Sequence, residues 1–262
     1  DAGSIPSSHT VLKARMTSDT HQAPFAPAPI DEVVATIEAE KPAVVCAPHV
    51  ETSAGLMLPD DYLRAVAEAT RAVDGLFVLD CIASGTMWVD MNATGVDVLV
   101  SAPQKGWSGT PCAGLVMMGQ RAHERLDETT STSFGCDLRK WRDIMHAYET
   151  GGHAYHATLP TDGLRNFRDV MRETAGFGWA EARAAQQQLG NGVRSLLAER
   201  GFPSVAAPGF EAPGVGGAYT DDPAIKNGSK FAAQGLQIAG GVPHACDQPD
   251  DFSTFPRALF GL

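Results

Sequence analysis

Short apolar runs separated by segments of helical periodicity are the feature that most constrains how this chain can fold. The runs are "AVVCAPHV" (43–50), "GLFVLDCIAS" (75–84), "GVDVLVSA" (95–102) and "AGLVMMG" (113–119). Each has the length of a buried strand. Before the second run, "PDDYLRAVAEATRAV" places Leu63, Val66, Thr70 and Val73 on one helical face. Strands that alternate with helices predict an α/β fold with a mainly parallel sheet.

The pattern changes after about residue 137, where the composition becomes mostly helical. One stripe carries Leu164, Phe167 and Met171, and the periodicity is interrupted near residues 176–178. A Gly/Pro-rich strand, "APGVGGAYT", and a helix around "DPAIKNGSKFAAQGL" follow. We therefore expect residues 1–160 to form part of a large domain. Residues 161–262 should form a linking helix and a smaller C-terminal α+β domain.

Charge and composition exclude several classes of function. The formal net charge is -11, so non-specific binding to a nucleic-acid backbone is not expected. No apolar run approaches the ~20 residues of a membrane span, and the N-terminus lacks the pattern of a signal peptide. The five cysteines show no zinc spacing, so no metal site is predicted. We expect a cytoplasmic protein with no membrane or nucleic-acid partner.

An acid and an amine follow two of the predicted strands. Asp80 ends the run at 75–84, and Lys105 stands just beyond the run at 95–102. In open α/β sheets ligands bind outside the carboxyl ends of the strands. If these strands are parallel neighbours, Asp80 and Lys105 lie at one edge of the sheet. Spacing alone leaves three interpretations open: a structural ion pair, unrelated surface charges, or a cofactor site.

The residues around this pair form a linked set of motifs. In chain order they are "HVETSAG" (49–55), Asp80, "SG" (84–85), "GVD" (95–97), "QK" (104–105) and "YHATLPT" (155–161). The set resembles the class V aminotransferases, which use pyridoxal 5'-phosphate, and most of all their alanine–glyoxylate and serine–pyruvate branch. The resemblance implies the fold-type I architecture of that family.

The resemblance assigns roles to the residues at the predicted edge. Lys105 would form a Schiff base with the cofactor aldehyde and later act as general base. A dry site would favour the neutral amine that this chemistry needs. Asp80 would keep the pyridine nitrogen protonated, and Ile82 would pack on one ring face. Gln104 occupies a position where cysteine desulfurases of the same fold usually have histidine.

Other positions carry weaker implications. Thr52 matches a hydroxyl residue that contacts the cofactor's phenolic oxygen, although a turn threonine is the alternative. Tyr155 and Thr158 match residues that reach the cofactor phosphate of a neighbouring subunit, which implies a homodimer with shared active sites. Arg257 would bind the substrate α-carboxylate. Pro256 before it disturbs the match, and a surface arginine is the alternative.

The resulting hypothesis is a transaminase that moves an amino group between a small amino acid and a 2-oxo acid. One alternative is a lyase or desulfurase with the same cofactor, for which Cys136 is the candidate reactive thiol. The other is a truncated, non-catalytic family member. That alternative is kept because the family's phosphate-cradling loop has no counterpart in the matched segments.

Overall fold

The computed structural model describes residues 9–238, 240–241 and 244–259. In chain order the elements are β1 (Arg15–Met16), β2 (Phe25–Ala26), α1 (Ile30–Glu40), β3 (Val44–Pro48), β4 (Val50–Glu51), β5 (Leu56–Met57), α2 (Asp60–Ala72), β6 (Leu76–Asp80), α3 (Met91–Thr94), β7 (Val98–Ser101), β8 (Leu115–Met118), α4 (Gln120–Glu128), α5 (Leu138–Glu149), α6 (Thr161–Phe177), α7 (Trp179–Glu199), β9 (Val215–Tyr219), α8 (Pro223–Lys226), α9 (Ser229–Ala232) and β10 (Thr254–Ala258).

The central sheet has the strand order β3-β6-β7-β8. The first three strands are parallel and β8 is antiparallel to β7. Phe77 and Leu79 of β6 and Leu99 of β7 share one core with Leu63 and Val66 of α2. The predicted α/β class, the mainly parallel sheet and the apolar face of α2 are therefore confirmed.

Helix α2 forms where its sequence predicts it. The helix begins after Pro59, and Asp60 and Asp61 lie in its first turn, where negative charge stabilises a helix N-terminus. Thr70 is buried, and its hydroxyl donates to the Val66 carbonyl, so a polar group is accommodated in the core. This helix fixes the position of β6 and of the residues that follow it.

The prediction that residues 43–50 form a buried strand is wrong in part, because one face of β3 is exposed. Val44, Cys46 and Pro48 are exposed, while the residues between them are half-buried. Within the described ranges β3 is an outer strand of its sheet. Helices α1 and α2 cover only the face that carries Phe77 and Leu79. An apolar run of this length does not distinguish an edge strand from a central one.

A buried ion pair ties the start of β7 to its neighbours. Asp97 accepts two hydrogen bonds from the Arg121 guanidinium at 2.9 Å and one from the Phe77 backbone N–H at 2.9 Å. The Asp97 carbonyl also accepts the Gly119 N–H at 2.8 Å. The carboxylate thus links β6, β7 and α4, and a buried charge with this many partners is satisfied.

The C-terminal part contains two long helices, α6 and α7, and a two-stranded antiparallel sheet in which β10 pairs with β9. The interruption predicted near residues 176–178 is confirmed at Gly178, whose φ of 108° ends α6 and precedes α7. The single helix predicted around 222–236 is wrong. Gly228 has a φ of 77°, and it separates the short helices α8 and α9.

Residues near the N-terminus pack against this C-terminal part. Phe25 donates its N–H to the Val205 carbonyl at 2.7 Å and shares a core with Val205 and Tyr219. The domain division at residue 160 stays a prediction. None of the described helices is both long and apolar enough to cross a membrane.

Candidate active site

Three parallel strands end together, and the predicted site residues lie on the loops that leave this edge. Pro48, Asp80 and Val100 are register partners at the carboxyl ends of β3, β6 and β7. Lys105 follows β7 by a few residues, and Thr52 follows β3 in the same way. The parallel sheet therefore brings Asp80 and Lys105 to one edge, as the sequence predicts, and Thr52 follows a strand that ends at the same edge.

The Asp80 carboxylate is oriented by its own loop. One oxygen, Oδ1, accepts the Ile82 backbone N–H at 2.8 Å. For Oδ2, no donor is found in the parts of the chain that the structure describes. Asp80 is exposed at the sheet edge, whereas Ile82 is half-buried. The free oxygen is available to a ligand that approaches from outside the edge.

Lys105 lies in a turn formed by residues 103–107. Gly109 donates to the Pro103 carbonyl at 2.8 Å and Ser108 donates to the Lys105 carbonyl at 2.9 Å, so the turn is closed by backbone hydrogen bonds. The prediction that Lys105 lies in a water-excluded site is wrong for this structure. Ala102 and Pro103 are buried, whereas Gln104 and Lys105 are exposed. Among the described residues, neither Lys105 nor Asp80 makes an ion pair, so the structural ion pair is not observed.

The Asp80 and Lys105 loops touch through two glycines. A Cβ atom at position 106 would lie 2.5 Å from Cα of Gly85. Any side chain larger than hydrogen at this position would force the two loops apart. The glycines of the "SG" and "QKG" motifs are thus required by the structure, because they allow the two loops to approach this closely.

Aromatic packing holds the Lys105 loop from the other side. The Trp107 ring lies 5.0 Å from Trp88, 5.6 Å from Phe167 and 5.8 Å from Trp179, measured between ring centroids. The Trp88 indole N–H donates to the Trp179 carbonyl at 2.9 Å. The loop is therefore fixed to α6 and to the start of α7. Sequence reasoning missed this cluster, because its members are far apart in the chain.

The turn that carries Thr52 is shaped by Glu51. The Glu51 carboxylate accepts the backbone N–H groups of Ser53 at 2.9 Å and Ala54 at 2.7 Å. Gly55 has a φ of 71°, and a Cβ there would lie 2.5 Å from Cα of Gly216. The turn is thus pressed against β9, and Thr52 is exposed at its tip.

A buried histidine lies directly behind the Asp80 loop. Nδ1 of His49 is 2.8 Å from Oγ of Ser84, and both side chains are buried. Burial lowers the pKa of His49 to about 4, so the imidazole is neutral near pH 7. The sequence does not predict its pairing with Ser84, because the two residues are 35 positions apart in the chain.

The predicted phosphate-contacting pair lies on an exposed segment. The Tyr155 hydroxyl is 3.2 Å from Oγ1 of Thr158, and Tyr155 is 73% exposed. From Thr129 to Pro160 no residue is fully buried. The structure brings these two side chains to each other and leaves both open to solvent.

Arg257 lies on β10 opposite Gly216 of β9. Burial, and then the positive charge of Arg194, lower the pKa of Arg257 to about 10. Its buried Nη2 has no hydrogen-bond partner in the described part of the chain. The next residue of β9, Gly217, instead approaches the Ser53 carbonyl of the Thr52 turn. The Arg257 side chain thus lies on the face of the β9–β10 sheet nearer Arg194, and the Thr52 turn contacts the other face.

Comparison with known proteins now adds to this geometry. The family model described as "Aminotransferase class-V" matches residues 21–213, which is most of the chain. The chain belongs to the class V aminotransferase family. The match spans β3, β6 and β7 and includes Asp80 and Lys105.

Curated relatives of the chain are transaminases by name. A 2-aminoethylphosphonate–pyruvate transaminase of Vibrio parahaemolyticus is 29% identical over 195 residues, which cover 71% of this chain and 50% of that protein. The chain spans about half the length of the curated relatives it matches.

Solved structures of the class V family show the same architecture. The alanine–glyoxylate aminotransferase from Nostoc sp. superposes with a TM-score of 0.78 at 22% identity, covering 90% of this chain and 62% of that one. An aspartate aminotransferase from Thermus thermophilus superposes with a TM-score of 0.70 at 25% identity, covering 89% and 62%. The predicted fold-type I architecture is confirmed.

Proposed function

We propose that the protein is a pyridoxal-phosphate-dependent aminotransferase that moves an amino group between a small amino acid and a 2-oxo acid. The observation that carries the proposal is the placement of Asp80 and Lys105 on two loops that leave the same sheet edge. The contact between Gly85 and Gly106 fixes the spacing of these loops. Membership of the class V family makes amino transfer the first reaction to test.

The donor set at this edge fits the cofactor. Asp80 presents one carboxylate oxygen that the described residues leave without a donor, and Lys105 presents a primary amine without an ion pair. A carboxylate and an amine are the two groups that a pyridine nitrogen and an aldehyde require. Within the described ranges, no three His, Cys, Asp or Glu side chains are placed to hold a metal ion.

Each residue has a distinct role in this proposal. Pyridoxal phosphate, when bound, supplies the electron sink that the substrate lacks. Lys105 would hold it covalently through Nζ. After release the same nitrogen would act as the general base that takes a proton from the substrate Cα and delivers it to C4′, the former aldehyde carbon of the cofactor. Oδ2 of Asp80 would hold the proton on the ring nitrogen, because a carboxylate beside that proton favours the charged form.

Further contacts complete the proposed site. Ile82 would pack on the ring, Thr52 would contact the phenolic oxygen, and Gln104 would contact the cofactor beside Lys105. Tyr155 and Thr158 would reach the cofactor phosphate in a second copy of the chain, which makes the proposed enzyme a homodimer with shared sites. We place it in the cytoplasm.

Arg257 is the proposed ligand of the substrate carboxylate. Its unpartnered Nη2 is a donor that a carboxylate can satisfy. Because Arg257 lies on the Arg194 face of the β9–β10 sheet, substrate must reach that face, or the two strands must shift when substrate binds.

Substitution of Lys105 tests the proposal. We expect the purified full-length protein to take up pyridoxal phosphate with a visible absorbance band that Lys105→Ala and Lys105→Arg abolish. The Arg variant keeps the positive charge but cannot hold the aldehyde, so it separates covalent attachment from electrostatics. Lys41→Ala, a surface lysine at the end of α1, is the matched control and should keep the band.

The amino donor is then identified with wild-type protein. Alanine, serine, aspartate and 2-aminoethylphosphonate are added singly, and conversion of the bound cofactor to its aminated form is followed by absorbance. Turnover by Lys105→Ala at the wild-type rate would contradict the assignment. A wild-type protein that binds no cofactor would favour the non-catalytic alternative.

The same purified protein can be used to test the desulfurase alternative. Cys136 is exposed in the segment between α4 and α5. If the protein releases sulfide from free cysteine, and this release requires Cys136, the protein is a desulfurase and the proposal of amino transfer is wrong.

A further inference from the structure

We propose that His49 and Ser84 form a buried pair that positions Asp80 and, through it, the Lys105 loop. The inference rests on the proposed function for its consequence in cofactor binding. The coupling itself is a property of the chain and can be measured without cofactor. His49 and Ser84 are positioning residues, since neither lies at the open edge of the sheet.

His49 is connected to the Asp80 strand through its backbone and to the Asp80 loop through its ring. The His49 backbone N–H donates to the Asp80 carbonyl at 2.8 Å, just past the last register pair of β3 and β6. Nδ1 of His49 lies 2.8 Å from Oγ of Ser84, four residues after Asp80. His49 thus holds both the start of the loop and a buried side chain four residues further along it.

The loop is held at a second point by Cys81. The Cys81 backbone N–H donates to the Val100 carbonyl at 2.7 Å, and the Ser84 N–H donates to the Cys81 carbonyl at 3.2 Å. A hydrogen bond between the Ser84 side chain and Cys81 opposes the burial that raises the pKa of the Cys81 thiol to about 12. Cys81, Ser84 and His49 are all buried. The loop therefore has few alternative conformations while these contacts persist.

Gly85 connects the position of Ser84 to the position of the Lys105 turn. It directly follows Ser84, and its Cα is the atom that a side chain at position 106 would strike. A shift of Ser84 therefore changes the surface against which the Lys105 turn rests. The chain of contacts runs from His49 to Ser84, then to Gly85, Gly106 and Lys105.

The neutral state of His49 suits this role. Burial is the main cause of its low pKa, with Arg183 lowering it and Asp60 raising it. A neutral imidazole has one donor and one acceptor nitrogen, so it can pair with a hydroxyl in either direction. Loss of the partner leaves a buried polar atom unsatisfied, which costs more than the bond itself contributes.

Three variants separate positioning from general stability. Ser84→Ala removes the hydroxyl partner, and His49→Asn keeps a polar atom near the place of Nδ1. Thr70→Val is the matched control, because it also deletes a buried hydroxyl, in α2 rather than at the edge. If Ser84→Ala does not yield folded protein, Ser84→Cys keeps a weaker donor and takes its place.

The first readout is amide hydrogen exchange of the full-length protein without cofactor. We expect Ser84→Ala to raise exchange about fivefold to tenfold at Ile82 and Met87 and in the Lys105 turn at Gly109. Thr70→Val should leave these amides unchanged, and His49→Asn should lie between Ser84→Ala and wild type. Equal exchange at these amides in Ser84→Ala and Thr70→Val would overturn the proposal.

The second readout is the dissociation constant for pyridoxal phosphate, titrated into the same proteins. We expect it to rise about tenfold in Ser84→Ala and to stay within about twofold of wild type in Thr70→Val. A normal dissociation constant in Ser84→Ala would show that the pair does not position Asp80. Absence of Lys105-dependent binding in wild type would overturn the proposed function alone, since the exchange experiment still decides the coupling.

Discussion

At the scale of the residue, the charge state of His49 links the site to stability. In the unfolded chain its pKa is near 6.5, whereas in the folded protein burial lowers it to about 4. Between these values the unfolded chain binds more protons than the folded one, so stability falls as the pH falls. The contribution of His49 is complete above pH 6.5 and is lost progressively down to about pH 4.

We predict a loss of about 3 kcal/mol in the free energy of unfolding from this group over that pH range. Urea denaturation at closely spaced pH values measures it in wild type and in His49→Asn, which has no titrating ring. The difference between the two proteins should depend on pH only below about 6.5. Parallel curves from pH 7 to pH 4 would contradict the prediction.

The positions of Asp80 and Lys105 could be predicted from the sequence, whereas the surroundings of these side chains could not. The motif pattern placed Asp80 and Lys105 at one sheet edge because strand ends follow from the apolar runs. It could not predict that Lys105 is exposed, because exposure depends on how the 103–107 turn projects from the edge. The pairing of His49 with Ser84 joins residues 35 positions apart, a distance that local periodicity does not describe.

At the scale of the element, α7 contains two glycines with opposite surroundings. A Cβ at Gly190 would lie 2.4 Å from the Pro213 carbonyl oxygen, whereas a Cβ at Gly192 would meet nothing within 4 Å. Glycine is unfavourable inside a helix by about 1 kcal/mol relative to alanine. Gly190 is therefore required for the close approach of α7 to residues 212–214, and Gly192 is not.

We predict that Gly192→Ala raises the free energy of unfolding by about 0.5–1 kcal/mol and that Gly190→Ala lowers it by about 1–3 kcal/mol. The two variants share a helix and a substitution, so each is the control for the other. Thermal unfolding followed by circular dichroism gives both values. Stabilisation by Gly190→Ala would mean that α7 moves away from Pro213 at little cost.

Most elements follow from the sequence because their patterns are local. The apolar face of α2 and the break at Gly178 needed only spacing and glycine chemistry. The exposed face of β3 and the split between α8 and α9 depend on what packs against them. Apolar runs report a tendency to be buried and do not state which neighbour provides the burial.

At the scale of the whole molecule, the segment from Thr129 to Pro160 exposes several large apolar side chains to solvent. Helix α5 has no fully buried residue. Met145 and Tyr148 on this helix and Phe134 just before it are exposed. The segment is ordered by its own contacts, since His156 packs 4.2 Å from Phe134 and 5.2 Å from Trp141 between ring centroids. We infer that these exposed apolar side chains belong to an interaction surface, as contiguous exposed apolar patches often do.

A second copy of the chain is the partner that the proposed function requires, because Tyr155 and Thr158 lie on this segment. A carboxylate in an apolar interface must be desolvated without compensation, so Met145→Glu should separate the subunits. Met145 is 60% exposed in the single chain, and the substitution should leave the fold of that chain unchanged. Leu196→Glu, on α7 and 46% exposed, is the matched control.

Sedimentation velocity measures the outcome directly. We expect wild type and Leu196→Glu to sediment as dimers of the 27.6 kDa chain and Met145→Glu to sediment as the monomer. The dissociation constant for pyridoxal phosphate should rise with dissociation, because each site would lose the tyrosine and threonine of its neighbour. A dimeric Met145→Glu would place the interface elsewhere. A monomer with unchanged cofactor affinity would show that Tyr155 and Thr158 do not complete a neighbouring site.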